Sequence, residues 1–327
     1  MDKLKALRSE LPGKALVFLF CVLFISFYKN IFGVENNIIA VVLLTGLFIF
    51  MRGDLGYQAK QAAPCIVLMF FLMVTGAKAA LLNPFLGIIV NFVVIGLILV
   101  LSSHNLAGGN HVPFLMGYIF CQGYDVSGSA YGMRFLSVML ASLVIAAIYY
   151  FANRKREYSR SVRDLFQEMD IHSIRTQWYL RMAVTLTLVL FICEFIHYPR
   201  TMWVALAVLS LTTPFEEDQK ARSRVRIPAA ILGTALFYVL FVMLIPEQYQ
   251  TIVVMIAGFM AMFIQNYFIK SIYNSFSSLG AAVILFPTTD ALFLRVISNI
   301  IGTAAAVVSY FVFNVIFSRL DTAQQQQ

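Results

Sequence analysis

Residues 85–103 read FLGIIVNFVVIGLILVLSS, a run of nineteen residues that contains no charged side chain. Because an α-helix rises about 1.5 Å per residue, a helix of this length spans roughly 28 Å, close to the hydrocarbon thickness of a bilayer. Backbone polar groups in hydrocarbon must find their partners within the segment itself. The run is therefore predicted to be a membrane-spanning helix.

Apolar runs of this kind recur along the whole chain, and twelve can be drawn. Their approximate bounds are 14–33, 37–51, 62–82, 85–103, 112–124, 133–152, 177–198, 201–215, 227–245, 250–270, 276–289 and 293–318. Several of them are short, so the number is defined to about one pair. The predicted fold class is an all-α integral membrane protein with about twelve transmembrane helices.

The composition agrees with a chain that is dissolved in lipid. Apolar residues make up 60% of the sequence and charged residues 12%, whereas soluble domains carry about 25% charged residues. The net charge of +8 comes from Lys and Arg between the apolar runs, where they act as topology signals. No basic stripe interleaves with exposed aromatic residues, so nucleic acid is not a predicted partner.

Metal, cofactor and enzyme chemistry leave no clear pattern in the sequence. The four cysteines do not pair at a metal-binding spacing, and His104 and His111 in one Gly-rich loop do not by themselves define a metal site. A nucleotide-binding loop of the form Gly-x4-Gly-Lys-Ser/Thr does not occur. We expect no metal, no cofactor and no enzyme activity.

The basic residues predict the orientation. With both termini in the cytoplasm, 18 of the 24 Lys and Arg fall on the cytoplasmic side. The first apolar run is followed by Tyr28-Lys29-Asn30 instead of small residues, so we expect an uncleaved first helix. The predicted location is the bacterial inner membrane, with multiple passes.

The two halves of the sequence look related. Four residues of the sixth segment recur in the twelfth at a single offset of 161: Arg134, Ser137, Tyr149 and Asn153 match Arg295, Ser298, Tyr310 and Asn314. The predicted domains are a six-helix repeat over 1–153, a linker over 154–176 and a second repeat over 177–327. Because six is even, the repeats should be parallel. The linker is either an amphipathic helix at the inner membrane surface or a charged connector.

Small residues suggest close helix packing in the second half. Ala229, Ala230 and Gly233 follow Arg226 at spacings that let two helices approach each other. Further along, Arg295, Asn299 and Gly302 lie at i, i+4 and i+7, on one helical face.

These motifs carry a family resemblance. The pattern that starts at Arg226 follows a short helix with Trp203 that ends at Pro214, and the Arg295-x-x-x-Asn299-x-x-Gly302 pattern closes the chain. Over about 175–318 the sequence resembles the fusaric acid resistance and aromatic acid exporter superfamily. The resemblance implies export of aromatic or other hydrophobic carboxylic acids. It also implies kinship with plant malate channels of similar membrane architecture.

Arg134, Arg295 and Asn299 are candidate substrate-binding residues. An Arg inside the membrane boundary is costly unless it is paired, hydrated or faces a ligand, and its guanidinium suits a carboxylate. The alternative is that Asp125 and Asp290 neutralise the two arginines. Asp125 and Asp290 are also candidates for carrying a proton.

Arg200 and Trp203 form a second candidate site at the predicted outer end of the eighth segment. Arg200 would attract a carboxylate and Trp203 would stack on an aromatic ring. The alternative is that Trp203 is an interfacial anchor. Glu194 either pairs with Arg200 or carries a proton.

The leading functional hypothesis is an inner-membrane transporter that exports small organic anions. The alternatives are an organic-anion channel and a non-transporting membrane assembly subunit. The expected partners are the anion and the lipid bilayer, and a homo-oligomer or an envelope adaptor subunit is left open.

Overall fold

The computed structural model describes residues 2–106, 108–261, 263–282 and 288–325. Helices are the regular secondary structure throughout these residues, so the predicted all-α fold is confirmed. The helices before the linker are α1 (Asp2–Phe32), α2 (Asn37–Phe50), α3 (Ala59–Ala80), α4 (Pro84–Ser102), α5 (Val112–Gly123) and α6 (Gly128–Asn153). The linker contains α7 (Val162–Gln167). After it come α8 (Ile174–Phe195), α9 (Thr201–Leu211), α10 (Glu216–Phe237), α11 (Glu247–Ala261), α12 (Tyr267–Ala282) and α13 (Thr288–Gln325).

Seven helical segments of the described chain are long and apolar enough to cross a membrane. They are Pro12–Phe32, Ala59–Ala80, Pro84–Ser102, Gly128–Asn153, Ile174–Phe195, Glu216–Leu244 and Thr289–Leu320. Four shorter apolar helices accompany them: Val34–Phe50, Val112–Gly123, Thr201–Leu211 and Gln248–Met260. The chain is therefore a helical membrane protein. The count of twelve spans, the parallel repeat and the cytoplasmic termini stay predictions.

Helix ends follow local sequence signals. The side chain of Asn83 accepts hydrogen bonds from the backbone N–H groups of Phe85 and Leu86, and Pro84 opens α4. Ser173 caps α8 in the same way through the N–H of Thr176. Asn and Ser are preferred at this position because their side chains satisfy N–H groups that the first helical turn leaves unpaired.

The tenth predicted segment, 250–270, differs from the structure. Its helix, α11, ends at Ala261, and a new helix, α12, begins at Tyr267. The side chain of Asn266 accepts from the N–H groups of Phe268 and Ile269 and so starts α12. The polar pair Gln265-Asn266 is a helix boundary, not the end of a longer span.

Contacts divide the described residues into two units, which we describe separately. The larger unit draws on 25–214 and 305–325 and the smaller on 2–24 and 215–304. The domain boundaries predicted at 153 and 177 rest on the sequence repeat and not on contacts, and they remain a prediction.

Aromatic rings fill the core of the larger unit. The ring centres of Phe70 and Phe114 lie 4.8 Å apart, and those of Phe50 and Phe114 lie 5.6 Å apart. All three side chains have no solvent exposure. α2, α3 and α5 meet at this cluster, so burial of these large rings fixes their relative positions.

In the smaller unit, α10 and α12 pack closely. A Cβ atom on Gly233 would lie 2.5 Å from the carbonyl oxygen of Ile272 and 2.8 Å from Cβ of Ser275. Ala229 and Ala230 on the same helix are buried. The small residues therefore stand where two helices approach, as the sequence pattern predicts.

Hydrogen bonds hold the linker against the start of α3 within the larger unit. The N–H of Gln58 donates to the carbonyl of Arg160 over 3.0 Å, and the N–H of Val162 donates to Oε1 of Gln61 over 2.7 Å. Leu165 is buried. Phe166, Met169 and Ile174 are 44%, 42% and 59% exposed. The linker therefore has a docked side and an apolar side, and contact of that apolar side with lipid remains a prediction.

Candidate functional site

A cavity of about 160 Å³ lies between α5, α8 and α9. α8 ends at Phe195, and His197 turns the chain with a φ of 54°. The N–H of Tyr198 donates to the carbonyl of Cys193 over 2.7 Å, which closes the turn. The turn places Arg200 at the start of α9, where its buried side chain lines the cavity.

α5 and α9 approach closely beside this cavity. A Cβ on Gly123 would lie 2.7 Å from Cβ of Met202, so only glycine fits there without a shift. Both residues line the cavity. The close approach brings the end of α5 to the start of α9, which is why the two short helices share one wall.

Arg200 lines the cavity, and its guanidinium also lies near two aromatic rings that are not part of the lining. The guanidinium carbon of Arg200 lies 5.9 Å from the ring centre of Tyr124 and 5.5 Å from that of Trp203. Arg200 is 5% exposed and Trp203 is 3% exposed. Burial lowers the pKa of the Arg200 guanidinium, and Tyr124 partly offsets this effect. Rings facing a guanidinium stabilise its charge in place of water.

Two further polar groups complete the lining. Half-buried Glu194 on α8 and Gln122 on α5 face the same cavity as Arg200. The predicted neighbourhood of Glu194, Arg200 and Trp203 is therefore present in one place. Sequence reasoning missed Tyr124 and Gln122, because their proximity to Arg200 depends on the α5–α9 packing and leaves no local pattern.

Arg134 lies behind Tyr124 and is almost fully buried, with 1% exposure. Its Nε donates to Oδ1 of Asn36 over 2.8 Å, Nη1 donates to the carbonyl of Tyr124 over 2.8 Å, and Nη2 donates to the carbonyl of Glu35 over 3.3 Å. It does not line the cavity beside Arg200. Arg134 therefore connects the C-terminal end of α5 and the first turns of α6 to the N-terminal end of α2.

Asp125 does not neutralise Arg134, so that alternative is wrong. Its carboxylate is bound by Lys78, with Nζ 2.8 Å from Oδ2. Asp290 is exposed in the first turn of α13. These placements do not decide whether either carboxylate carries a proton.

A second buried cluster lies in the smaller unit. Arg226 donates from Nε to Oδ1 of Asn299 over 2.9 Å and from Nη1 to the hydroxyl of Tyr267 over 3.3 Å. Asn299 in turn donates to the carbonyl of Arg295 over 2.8 Å. Arg226, Arg295 and Asn299 are 7%, 5% and 1% exposed. The amide and the phenol that Arg226 contacts are neutral, so they do not cancel its charge.

This cluster joins residues for which the sequence analysis predicts different roles. Arg226 belongs to the predicted packing motif at the cytoplasmic edge, and Asn299 to the predicted site near the outer side. Their hydrogen bond places both at the same depth on facing turns of α10 and α13, so the predicted placement of these two residues on opposite sides of the membrane is wrong. Gly302, the last residue of the Arg295 motif, is buried on α13.

The two loop histidines have protein partners. Nδ1 of His104 lies 2.6 Å from Nη1 of Arg175, and the ring centre of His111 lies 5.1 Å from that of Trp178. Arg175 can only donate, so His104 accepts in its neutral form. Within the part of the chain that the structure describes, no three His, Cys, Asp or Glu side chains are grouped to hold a metal ion.

The long apolar helices and the buried arginines define the class as a multi-pass helical membrane protein. The family described as fusaric acid resistance protein-like matches residues 188–317, which confirms the predicted resemblance over that region. Arg200, Arg226, Arg295 and Asn299 all lie within the match. This family implies a membrane efflux function. No curated protein and no solved structure matches the chain.

Proposed function

We propose that the protein exports small organic anions, namely aromatic or hydrophobic carboxylic acids, across the bacterial inner membrane. The observation that carries the proposal is the cavity in which the buried guanidinium of Arg200 lies beside two aromatic rings. A buried cation is stabilised by an anion that lies beside it. Seven of its ten lining residues, between Leu190 and Met202, lie within the region that matches the family.

The size of the cavity favours a substrate with a single ring. Its volume is about 160 Å³, and an apolar cavity of about 150 Å³ holds one benzene molecule. A carboxylate can receive two parallel hydrogen bonds from a guanidinium. A benzoate-sized acid would therefore place its carboxylate at Arg200 and its ring among the lining side chains of Ile119, Leu190 and Met202.

Each polar residue of the cavity has a proposed role. Arg200 binds the carboxylate, and Tyr124 and Trp203 hold the guanidinium in place. Glu194 is the preferred proton carrier, because it is the carboxylate that lines the same cavity as Arg200. Asp125, which is bound to Lys78, and exposed Asp290 are further carrier candidates.

Arg134 is proposed to position the site without touching the substrate. Its three hydrogen bonds all go to oxygen atoms of the protein, and one of them holds the carbonyl of Tyr124. The aromatic wall beside Arg200 therefore depends on Arg134 for its location.

The Arg226–Asn299–Arg295 cluster is proposed as a second anion-attracting step in the smaller unit. Arg226 is buried and bonded to neutral groups, so a positive potential persists there. An R295Q variant should lower organic-acid efflux and leave membrane insertion intact. If efflux from vesicles that contain R295Q is unchanged, Arg295 does not lie in the substrate path.

The test of the main proposal is efflux from proteoliposomes loaded with radiolabelled benzoate or naphthoate. Export of benzoate and not of naphthoate is expected, because a second ring exceeds the cavity. R200Q should lower the apparent affinity for benzoate about tenfold or more, since a charge-assisted hydrogen bond contributes about 1.5–3 kcal/mol. The matched control is K29Q, which removes an exposed cation outside the cavity.

The same vesicles separate the alternatives. Unitary current openings from purified protein would show an organic-anion channel. Absence of benzoate flux through wild-type protein, with correct insertion, would favour an assembly subunit that acts with an adaptor or a second copy. Equal transport by R200Q and wild type would overturn the assignment of the cavity.

A further inference from the structure

A second cavity, of about 410 Å³, opens between the α2–α3 loop and the α4–α5 loop. Its lining includes Phe48, Arg52, Asp54, Asn105 and Asn110. The charge distribution predicts that both loops lie on the cytoplasmic side of the membrane. The cavity is part of the larger unit and shares no lining residue with the Arg200 cavity.

One side chain in this cavity indicates what a ligand must provide. Asn110 is 1% exposed, and its Nδ2 donates to the carbonyl of Asp54 over 2.9 Å. Its Oδ1 is buried and has no hydrogen-bond partner among the described residues. A buried acceptor without a donor is costly, so a ligand that offers an N–H or O–H group would be stabilised there.

The charged groups of the cavity favour a zwitterion. Arg52, just beyond the end of α2, is exposed, and it supplies a cation for a phosphate group. The carboxylate of Asp54, which also lines the cavity, is already satisfied by Arg156 over 3.1 Å, Tyr158 over 2.8 Å and Gly56 over 2.7 Å. A purely anionic ligand could pair with Arg52 but would leave Oδ1 of Asn110 without a donor.

The cavity also borders the surface that faces lipid. Val41 and Phe48 on α2 are 40% and 37% exposed, and Phe48 is part of the lining. In a membrane helix, exposed apolar side chains contact acyl chains. A lipid whose tails lie along α2 would therefore present its headgroup to Arg52 and Asn110.

We propose that this cavity binds the headgroup of phosphatidylethanolamine. The phosphate is held by Arg52, and the primary ammonium donates a hydrogen bond to Oδ1 of Asn110. Phosphatidylcholine has the same phosphate and the same charge, but its trimethylated nitrogen has no N–H group. The proposal therefore requires the site to distinguish these two lipids.

The test is native mass spectrometry and thermal shift of the purified full chain with each lipid added separately. Phosphatidylethanolamine should bind at least tenfold more tightly than phosphatidylcholine and should raise the melting temperature further. Soluble phosphoethanolamine should bind far more weakly than the lipid, because it lacks the acyl chains. Equal binding of the soluble headgroup would overturn the lipid assignment.

Four variants make the test specific. R52Q should weaken binding of phosphatidylethanolamine about tenfold, and R52K should restore part of it. The matched control K60Q removes an exposed cation that does not line the cavity and should bind like wild type. N110A should abolish the preference for phosphatidylethanolamine over phosphatidylcholine.

Three results would contradict the proposal. These are equal affinity of wild type for the two lipids, equal loss in R52Q and K60Q, and an unchanged lipid preference in N110A. The first and third results would mean that ordered water suffices as the partner of Asn110, and the second would mean that Arg52 is not a specific phosphate ligand. Because R52Q changes an exposed side chain, loss of folding is not expected to obscure the outcome.

Discussion

Single residues decide whether the buried arginines bind substrate or hold the protein together. Arg134 and Arg295 occupy matching sequence positions, yet every hydrogen bond of Arg134 ends on a protein oxygen. Arg295 donates from Nη2 to the carbonyl of Asn274 over 3.5 Å, and its own carbonyl accepts from Asn299, which also binds a second arginine, Arg226. Equivalent arginines therefore have different surroundings, which a sequence repeat alone does not reveal.

Arg134 should behave as a structural residue. R134Q removes the donors to Asn36, Tyr124 and Glu35 and should lower the free energy of unfolding by at least about 2 kcal/mol. R134K should not restore it, because a lysine lacks the planar array of five donors. Thermal unfolding in detergent measures both. If R134Q kept its melting temperature but lost substrate binding, Arg134 would be a substrate-binding residue and not a structural one.

His111 makes the stability depend on pH. Burial lowers its pKa from 6.5 to about 4. Between those values the unfolded chain binds the proton and the folded protein does not, so stability falls as the pH drops through this window. The loss approaches about 3 kcal/mol when the pH reaches 4, since one pKa unit corresponds to 1.36 kcal/mol.

The measurement compares melting temperatures of wild type and H111Q at pH 7.5 and pH 5. H111Q should show a smaller difference between the two pH values than wild type. A difference as large as that of wild type would mean that His111 does not contribute to the acid sensitivity.

At the scale of the elements, close helix packing accounts for the small residues. G233A would push a Cβ against the carbonyl of Ile272 at 2.5 Å and should destabilise the protein by about 1–3 kcal/mol. Gly258 on α11 is the matched control, because a Cβ there meets nothing within 4 Å. G258A should be neutral or slightly stabilising, since alanine is the better helix former. Equal unfolding curves for the two variants would contradict tight α10–α12 packing.

The linker gives a second prediction at this scale. Two linker side chains bind the carboxylate of Asp54. Nη1 of Arg156 lies 3.1 Å from Oδ2, and the hydroxyl of Tyr158 donates to Oδ1 over 2.8 Å. D54N should loosen the linker and speed its cleavage by trypsin several-fold in vesicles that expose this face. E157Q, which changes an exposed carboxylate of the linker, is the control. Equal cleavage rates in D54N and wild type would show that Asp54 does not hold the linker.

The helices could be predicted from the sequence where length and hydropathy determine their bounds. They could be predicted less well where packing between helices determines the bounds or contacts. The apolar run over 85–103 closely matches α4, because a membrane helix must satisfy its own backbone. The predicted end of the tenth segment was wrong, because hydropathy averaged over a window does not detect the helix cap at Asn266. Tyr124 joins Arg200 only through the approach of α5 to α9, and hydropathy carries no information about that contact.

For the whole molecule, the composition and the long apolar helices agree on a multi-pass membrane protein. Residues 188–317 match the family, and the sequence extends the relation to the first half only through the repeat. The predicted twelve spans with both termini inside can be tested by cysteine labelling at exposed positions 30 and 157. Label from outside should react at 30 and not at 157, and the reverse pattern would invert the topology.

The central claim is that an organic anion binds at Arg200 beside Trp203. The chain has two tryptophans, so W178F leaves Trp203 as the only fluorescent reporter of its type. Titration of this variant with benzoate should give a saturable change in tryptophan emission, and the same titration of W178F/R200Q should give a midpoint at least tenfold higher. No change in emission with benzoate, or the same midpoint with and without Arg200, would contradict binding at this site.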